Sequence, residues 1–379
     1  MNFDLNDEQR MVRDSVERLM ADAYDFESRR RFQRQPAGYS TDIWSNFAEL
    51  GLLGLPVPEE YGGFGGGPAE TMIIMETLGR ALSLEPYFAG IVLPAALLRH
   101  AGNQAVPAEI FPAMATGELL LGVAHGEPQA RYDLHDVATN ARQDGDGYVL
   151  NGCKSLVLHG EAADRLLVSA RIAGERASAD GIGLFLVDAK ADGIVRKGGR
   201  MPDGMRVAEV RFDDVRVPAH ALVSASAAPT IDAAFDEALA AICAEAIGVM
   251  DEALRMTVEY LKDRKQFGVP LGSFQALQHR AADMYIALEQ ARSMVFFALM
   301  NLEEPPATRR DAVFAAKVQI NESARVIGEQ AVQLHGGIGM TEEYKLGHLF
   351  KRLTVIGRMF ADTEHCLDHL SRSRGLFNG

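Results

Sequence analysis

The chain has 379 residues, 47% of them apolar, a formal net charge of −14 and three cysteines. That length and apolar content support two or three domains with sizeable cores and exclude a disordered or fibrous chain. The acidic balance speaks against a sequence-independent grip on nucleic-acid phosphates, and Cys153, Cys243 and Cys366, which lack CxxC spacing or a histidine cluster, suggest neither a disulfide framework nor a metal site but plain thiols in a reducing compartment.

The chain opens on a capping-box pattern, Asn6 with Gln9, followed by Met11, Val12, Val16, Leu19 and Met20 at helical spacing, which predicts an amphipathic helix. Its acidic residues from Asp4 onward do not suit a signal peptide, and no run of about 18 uncharged apolar residues occurs anywhere. The expectation is a cytoplasmic protein with no membrane partner. Helical pattern resumes from Thr41 to Leu50, breaks at Pro56 and Pro58, crosses the glycine cluster Gly62-Gly63-Phe64-Gly65-Gly66-Gly67 and starts again near Pro68. No strand runs into those glycines and no Lys-Ser/Thr follows, so a mobile or tightly turning loop is expected rather than a phosphate cradle.

From about Glu118 the period changes to short β-branched runs: LLLGVAH, DVATNAR, YVLNG, RLLVSAR, IGLFLVD and VAEVRFDDV. Asp144-Gly145-Asp146-Gly147 between two of them predicts a hairpin. Beyond Ala227 the helical period returns. Leu277, Ala281, Met284, Leu288, Ala291 and Val295 mark one buried stripe, and Ala316, Ile320, Ile327, Ala331 and Leu334 mark another on a helix from Arg309 to Leu334. Small exposed residues such as Ala282 and Ala287 suit packing against a second subunit, with a single-chain bundle as the alternative. The expected organisation is an N-terminal all-α domain over residues 1–117, a middle β-barrel or sandwich domain over 118–227 and a C-terminal four-helix bundle over 228–379.

One stretch between the long helical patterns concentrates binding chemistry. In DRKQFGVPLGSFQ, from Asp263, Arg264 offers a planar fork of donors for a phosphate, Phe267 a flat face, and Gln275 and then Gln278 amides. Gly268, Pro270 and Gly272 make the segment between them a turn.

That stretch, the later QLHGGIGMTEEY from Gln333 to Tyr344, and the order helix, β, helix closely resemble the acyl-CoA dehydrogenase family. The resemblance extends over nearly the whole chain, including LGLLGLPVPEEYGGFG and GYVLNGCKSL. It implies subunits assembled as dimers or dimers of dimers, with FAD across a subunit interface, and α,β-dehydrogenation of an acyl-CoA: a carboxylate takes the α-proton, the β-hydride passes to the flavin, and electrons leave to an electron-transfer flavoprotein. Arg264 and Phe267 match family positions that hold the neighbouring subunit's FAD, Gln275 matches an amide further on, and Gln333, Gly336 and Gly337 match the second cofactor segment.

The departures from the family pattern are as informative. Where members carry Thr-Glu-Pro-x-x-Gly-Ser-Asp, this chain has His125-Gly126-Glu127-Pro128-Gln129-Ala130-Arg131-Tyr132-Asp133. Where they carry Gly-x-Lys-x-Trp-Ile-Thr, it has Gly152-Cys153-Lys154-Ser155-Leu156-Val157-Leu158. The family's catalytic Glu aligns with Ala361, and the alternative position, 26 residues before Arg264, is Ala238. Nearby acids are Glu237, about 100° around the helix, Glu245 and Asp362. No catalytic residue is therefore assigned.

The resemblance is to the small, base-free subunit of heteromeric acyl-CoA dehydrogenases, such as the pimeloyl-CoA dehydrogenase type and those of steroid side-chain degradation. It implies a homologous catalytic partner in an α2β2 assembly. Two further readings stand beside it. One is a self-sufficient homo-oligomer using Glu237 or Asp362, or performing flavin oxygen chemistry. The other is a non-catalytic structural or acyl-CoA-binding protein on the same scaffold.

Overall fold

The computed structural model describes residues 5–102 and 105–373. The first helix, α1 (Asp7–Ala23), starts at the expected capping box, with the Gln9 N–H donating to Asn6 Oδ1 at 2.8 Å and the Asn6 N–H to Gln9 Oε1 at 3.1 Å. It is followed by α2 (Phe26–Gln33), α3 (Thr41–Glu49), α4 (Pro68–Ala81), a buried π-helical turn Phe88–Val92, α5 (Leu93–His100) and α6 (Ala105–Ala115). Eight strands come next: β1 (Leu121–Ala124), β2 (Asn140–Asp144), β3 (Gly147–Leu158), β4 (Arg165–Arg171), β5 (Ile182–Asp188), β6 (Ile194–Arg200), β7 (Arg206–Pro218) and β8 (Leu222–Ser224). Helix α7 (Ala228–Asp263), a hairpin of β9 (Lys265–Gln266) and β10 (Val269–Pro270), α8 (Gln275–Met300), α9 (Pro306–His335), α10 (Lys345–Ile356) and α11 (Thr363–Ser373) complete the chain. The architecture is the expected one: an N-terminal helical part, a middle β part and a C-terminal helix bundle. Among the described residues no helix is long and apolar enough to cross a membrane.

By compactness the described chain forms two units, one from residues up to Arg30, Met72–Ser83 and Leu239 onward, the other from Arg31–Thr71 and Leu84–Ala238. In the first, α8 and α9 pack along the predicted stripes. Met284, Leu288, Ala291 and Val295 are buried on one helix and Ala316, Ile320, Ile327, Ala331 and Leu334 on the other, while Leu277 and Ala281, nearer the start of α8, are only half-buried. Helices α4 and α7 touch backbone to backbone. A Cβ on Gly79 would overlap the Glu245 carbonyl, and one on Gly248 the Glu76 carbonyl.

In the second unit the sheet runs β6-β7-β3-β2-β4-β5-β8, with β1 parallel on β4. Leu150, Val168, Phe185, Val210, Phe212 and Val215 share one apolar cluster, the core of this β part. The hairpin turns at Gly145, whose φ is 62°. Six strand runs are legible in the sequence, and among the described residues eight strands make up this sheet. Strand β6, IVRKGGR, lies at one end of the sheet path, paired with β7 alone, and its charges and glycines leave no buried face to read. The glycine cluster turns tightly: Phe64, Gly65 and Gly66 donate backbone N–H groups to Gly54, Val57 and Leu55, and the Phe64 ring lies over Gly51 and Gly54.

Candidate functional site

The Arg264 stretch leaves α7 as a short hairpin. The Arg264 N–H donates to the Tyr260 carbonyl at 2.8 Å, extending the helical pattern by one bond, and the Leu271 N–H closes the hairpin on the Arg264 carbonyl at 2.7 Å. At the tip, Phe267 and Gly268 both have positive φ, 53° and 85°, as two-residue hairpin turns that match strand twist require. A phenylalanine held there is strained by about 1–2 kcal/mol. It is also 91% exposed, with its ring edge-on to Phe274 at 6.2 Å. Gln278 is occupied in shaping the turn, its Nε2 donating to the Gly272 carbonyl at 2.7 Å. Arg264 and Gln275 are exposed, and the Arg264 guanidinium has no partner among the described residues.

The second stretch ends α9. His335 is the last helical residue, Gly336 takes φ 64°, and the chain continues as a 3₁₀ turn from Gly336 to Met340. Gln333, Gly336 and Gly337 are exposed, and a Cβ built on either glycine would meet no protein atom within 4 Å. The space over those glycines is open. Two contacts bring this stretch to the same end of the unit as the hairpin: Arg280 Nη1 on α8 donates to Gln330 Oε1 on α9 at 3.4 Å, and the His335 ring stacks on Tyr260 at 4.4 Å. Tyr260, four residues before Arg264, and His335, directly before Gly336, are thus in contact at one end of the first unit. An exposed guanidinium, exposed glycine backbone and exposed amides are groups able to hydrogen-bond a diphosphate such as that of FAD.

The loop from His125 in the second unit is built in the opposite way. The Glu127 carboxylate accepts from Lys154 Nζ at 2.6 Å, Gln129 Nε2 at 2.8 Å, and the Ala138 and Thr139 N–H groups at 2.9 and 3.0 Å. Lys154 Nζ also donates to the His125 carbonyl and to Ser169 Oγ, and Ser169 Oγ lies 2.9 Å from His125 Nδ1. All four residues are buried. Burial pushes the Glu127 carboxyl up, but the Lys154 ammonium and the bonds from Lys154, Gln129 and the Thr139 N–H outweigh it and hold the pKa at about 2. Burial, aided by the Lys154 charge, lowers His125 to about 3, so its ring is neutral. The adjoining segment is tied by Arg171, whose guanidinium donates to the carbonyls of His135, Val137, Arg176, Ser178 and Asp180. On β3, Leu156 sits at an irregularity in the pairing with β7, has φ 53° and is 70% exposed.

None of the acids considered as a proton acceptor stands free. Glu237 is bonded to Arg99 Nη2 and His100 Nε2, each at 2.6 Å. Burial raises its carboxyl, but these two partners overcome the effect and keep it below the usual carboxylate range. Glu245 is gripped at both oxygens by Arg352, at 2.6 and 2.7 Å. Asp362 Oδ1 accepts the His365 N–H at 2.9 Å at the start of α11. Ala361 is fully buried in an apolar cluster with Leu239, Phe314 and Cys366, just after Phe360 at φ 61°, and Ala238 is fully buried on α7.

Sequence patterns miss three features of this geometry. Glu127 and Lys154 are visible as motif letters, but their pairing across 27 residues is not. The engagement of Glu237 by Arg99 and His100 carries no local signal. The Tyr260–His335 stack has only one hint, an aromatic ring placed directly before the paired glycines.

Helical, β and helical parts in that chain order are an architecture found among flavoprotein oxidoreductases. Family models described as acyl-CoA dehydrogenase N-terminal, middle and C-terminal domains match residues 6–118, 122–215 and 228–359. The chain is 31% identical over 366 residues to probable acyl-CoA dehydrogenase YngJ of Bacillus subtilis, covering 94% of this chain and 96% of that protein. Among solved structures it resembles a variant of the Tcur3481-Tcur3483 steroid ACAD, with TM-score 0.87, 29% identity and 97% of each chain covered. It shares its fold with the ChsE4-ChsE5 complex from Mycobacterium tuberculosis, with TM-score 0.89, 24% identity and 99% of each chain covered. The chain belongs to the acyl-CoA dehydrogenase family.

Proposed function

We propose that this chain is the base-free, FAD-gripping subunit of a heteromeric acyl-CoA dehydrogenase, of the kind exemplified by pimeloyl-CoA and steroid side-chain enzymes. Three domains, over 1–117, 118–227 and 228–379, serve this role. The observation that carries the proposal is Ala361, fully buried among apolar side chains, while Glu237, Glu245 and Asp362 are each engaged elsewhere. A general base must reach the substrate proton with a pKa near the operating pH. Glu237, held below its ordinary range, does not meet that requirement.

When bound, FAD supplies the acceptor for the hydride leaving the acyl chain. This chain's part is grip. Arg264 forms a charge-assisted pair with a phosphate, the backbone at Gly336 and Gly337 approaches the cofactor without steric obstruction, and Gln275 and Gln333 add amide hydrogen bonds. Phe267, presented at the hairpin tip, gives an apolar face to the same cofactor or to the subunit that holds its ring. The partner, a homologous subunit, supplies the catalytic Glu and the flavin-ring pocket, and an electron-transfer flavoprotein takes the electrons. The paired names of the Tcur3481-Tcur3483 enzyme and the ChsE4-ChsE5 complex are in keeping with a two-component assembly.

The test is co-expression with the homologous subunit encoded nearest to it, followed by quantitation of FAD and of acyl-CoA oxidation. One FAD per heterodimer, with no turnover by this chain alone, is expected. A homogeneous preparation of this chain that binds one FAD per subunit and oxidises an acyl-CoA overturns the proposal.

A further inference from the structure

The two cofactor stretches are separated by about 70 residues, yet a single ring pair joins their roots. Tyr260 lies in the last turn of α7, and its carbonyl receives the Arg264 N–H at 2.8 Å. His335 ends α9 and immediately precedes Gly336 and Gly337. The two rings are stacked, with centroids 4.4 Å apart and planes 25° from parallel, and the Tyr344 ring packs against His335 at a centroid distance of 5.5 Å. His335 is 4% exposed, and its Nδ1 lies 2.9 Å from the Ala331 carbonyl. That acceptor requires the proton on Nδ1 and fixes the plane of the ring. Nε2 is buried with no partner among the described residues, so the imidazole works there as an aromatic surface and not as a second hydrogen-bonding group. Burial also depresses its basicity, offset in part by the Ala331 bond.

We infer that the Tyr260–His335 stack is the positioning element of the grip: it sets the Arg264 hairpin at a fixed distance from the Gly336–Gly337 turn, so that one cofactor meets both. This rests on the reading of those stretches as an FAD grip. In this role neither ring touches the cofactor; each acts through its chain neighbour. Beyond its own backbone bonds and the Gln278 bond to Gly272, the hairpin carries exposed side chains on both strands and at its tip. Losing one ring of a stacked pair corresponds to a change on the order of tenfold in an equilibrium constant.

The experiment uses the full-length chain in its FAD-containing complex, with Tyr260→Leu, His335→Leu, the double variant, His335→Phe and Arg264→Ala, all measured well below their unfolding midpoints. Each Leu variant is expected to weaken FAD binding about tenfold, and the double variant no more than either single, because both remove one contact. His335→Phe, which keeps a stacking ring, should return affinity to within about threefold. In the FAD-free chain, Tyr260→Leu should speed amide exchange at residues 336–338. Additive losses, or unchanged affinity and exchange in the Leu variants while Arg264→Ala still releases FAD, overturn the inference. If Arg264→Ala leaves FAD binding unchanged, the grip reading itself fails, and the exchange measurement still decides whether the stack couples the two stretches.

Discussion

The hairpin and glycine turn of the first unit and the His125 loop of the second are opposite solutions to the same question of what backbone and side chains bond to. At the hairpin, Arg264 has no partner among the described residues, Phe267 is almost fully exposed in a strained conformation, and the space above Gly336 and Gly337 is open. In the loop, one carboxylate takes four donors, one guanidinium takes five carbonyls, and the groups are buried. Strain and unpaired polar groups mark surfaces awaiting a ligand or partner, whereas a fully satisfied network specifies a structure and offers little to anything else. The contrast supports a chain that holds a cofactor's far end and leaves the ring to another subunit.

The largest expected effect tests the sealed side. Lys154→Met leaves Glu127 charged and buried without its counter-ion, and should destabilise the chain by about 3–5 kcal/mol in chemical denaturation. The pH dependence of Glu127→Gln gives the sign. Because the folded pKa of Glu127, about 2, lies below its unfolded value, its contribution is complete above the ordinary carboxylate range and is lost as pH falls toward 2. The gap in stability between wild type and Glu127→Gln should therefore close as pH falls across that window. A gap that is constant with pH would show that the loop does not depend on this charge.

A smaller effect tests the open side. Arg264→Ala should weaken FAD binding by about 1.5–3 kcal/mol, the value of a hydrogen bond to a charged group. It should leave the unfolding free energy within about 0.5 kcal/mol, as expected for an exposed side chain with no hydrogen-bond partner among the described residues. Loss of stability without loss of FAD would reverse the roles assigned to the two regions.

The smallest effect concerns Leu156, exposed at φ 53°. Leu156→Asn, a residue that tolerates this conformation, should stabilise the isolated chain by about 0.5–1 kcal/mol. If a partner subunit covers this position, the same substitution should weaken assembly measured by sedimentation.

Much of the fold is legible because it is local. The Asn6–Gln9 box, the α8 stripe from Met284 onward, the α9 stripe and the Gly145 turn each depend on residues within a few positions of one another, and each forms as the pattern predicts. Strand β6 is missed since its pairing with β7, not its own composition, makes it a strand. The same division holds at the site. Arg264, Phe267 and the paired glycines announce themselves in short segments, whereas the contacts between the elements that carry them, the Tyr260–His335 stack and the Arg280–Gln330 bond, appear only in the tertiary structure.

By itself the sequence determined the family, the order of helical and β parts, and the absence of a carboxylate at the two family positions, Ala361 and Ala238. It left Glu237, Glu245 and Asp362 open, because a carboxylate's availability depends on what faces it. Only the tertiary structure decided that, by placing Arg99 and His100 against Glu237 and Arg352 against Glu245 from more than 100 residues away in the chain. Charge pairing acts over a few ångströms of space and is indifferent to sequence separation, so no spacing rule could have shown it.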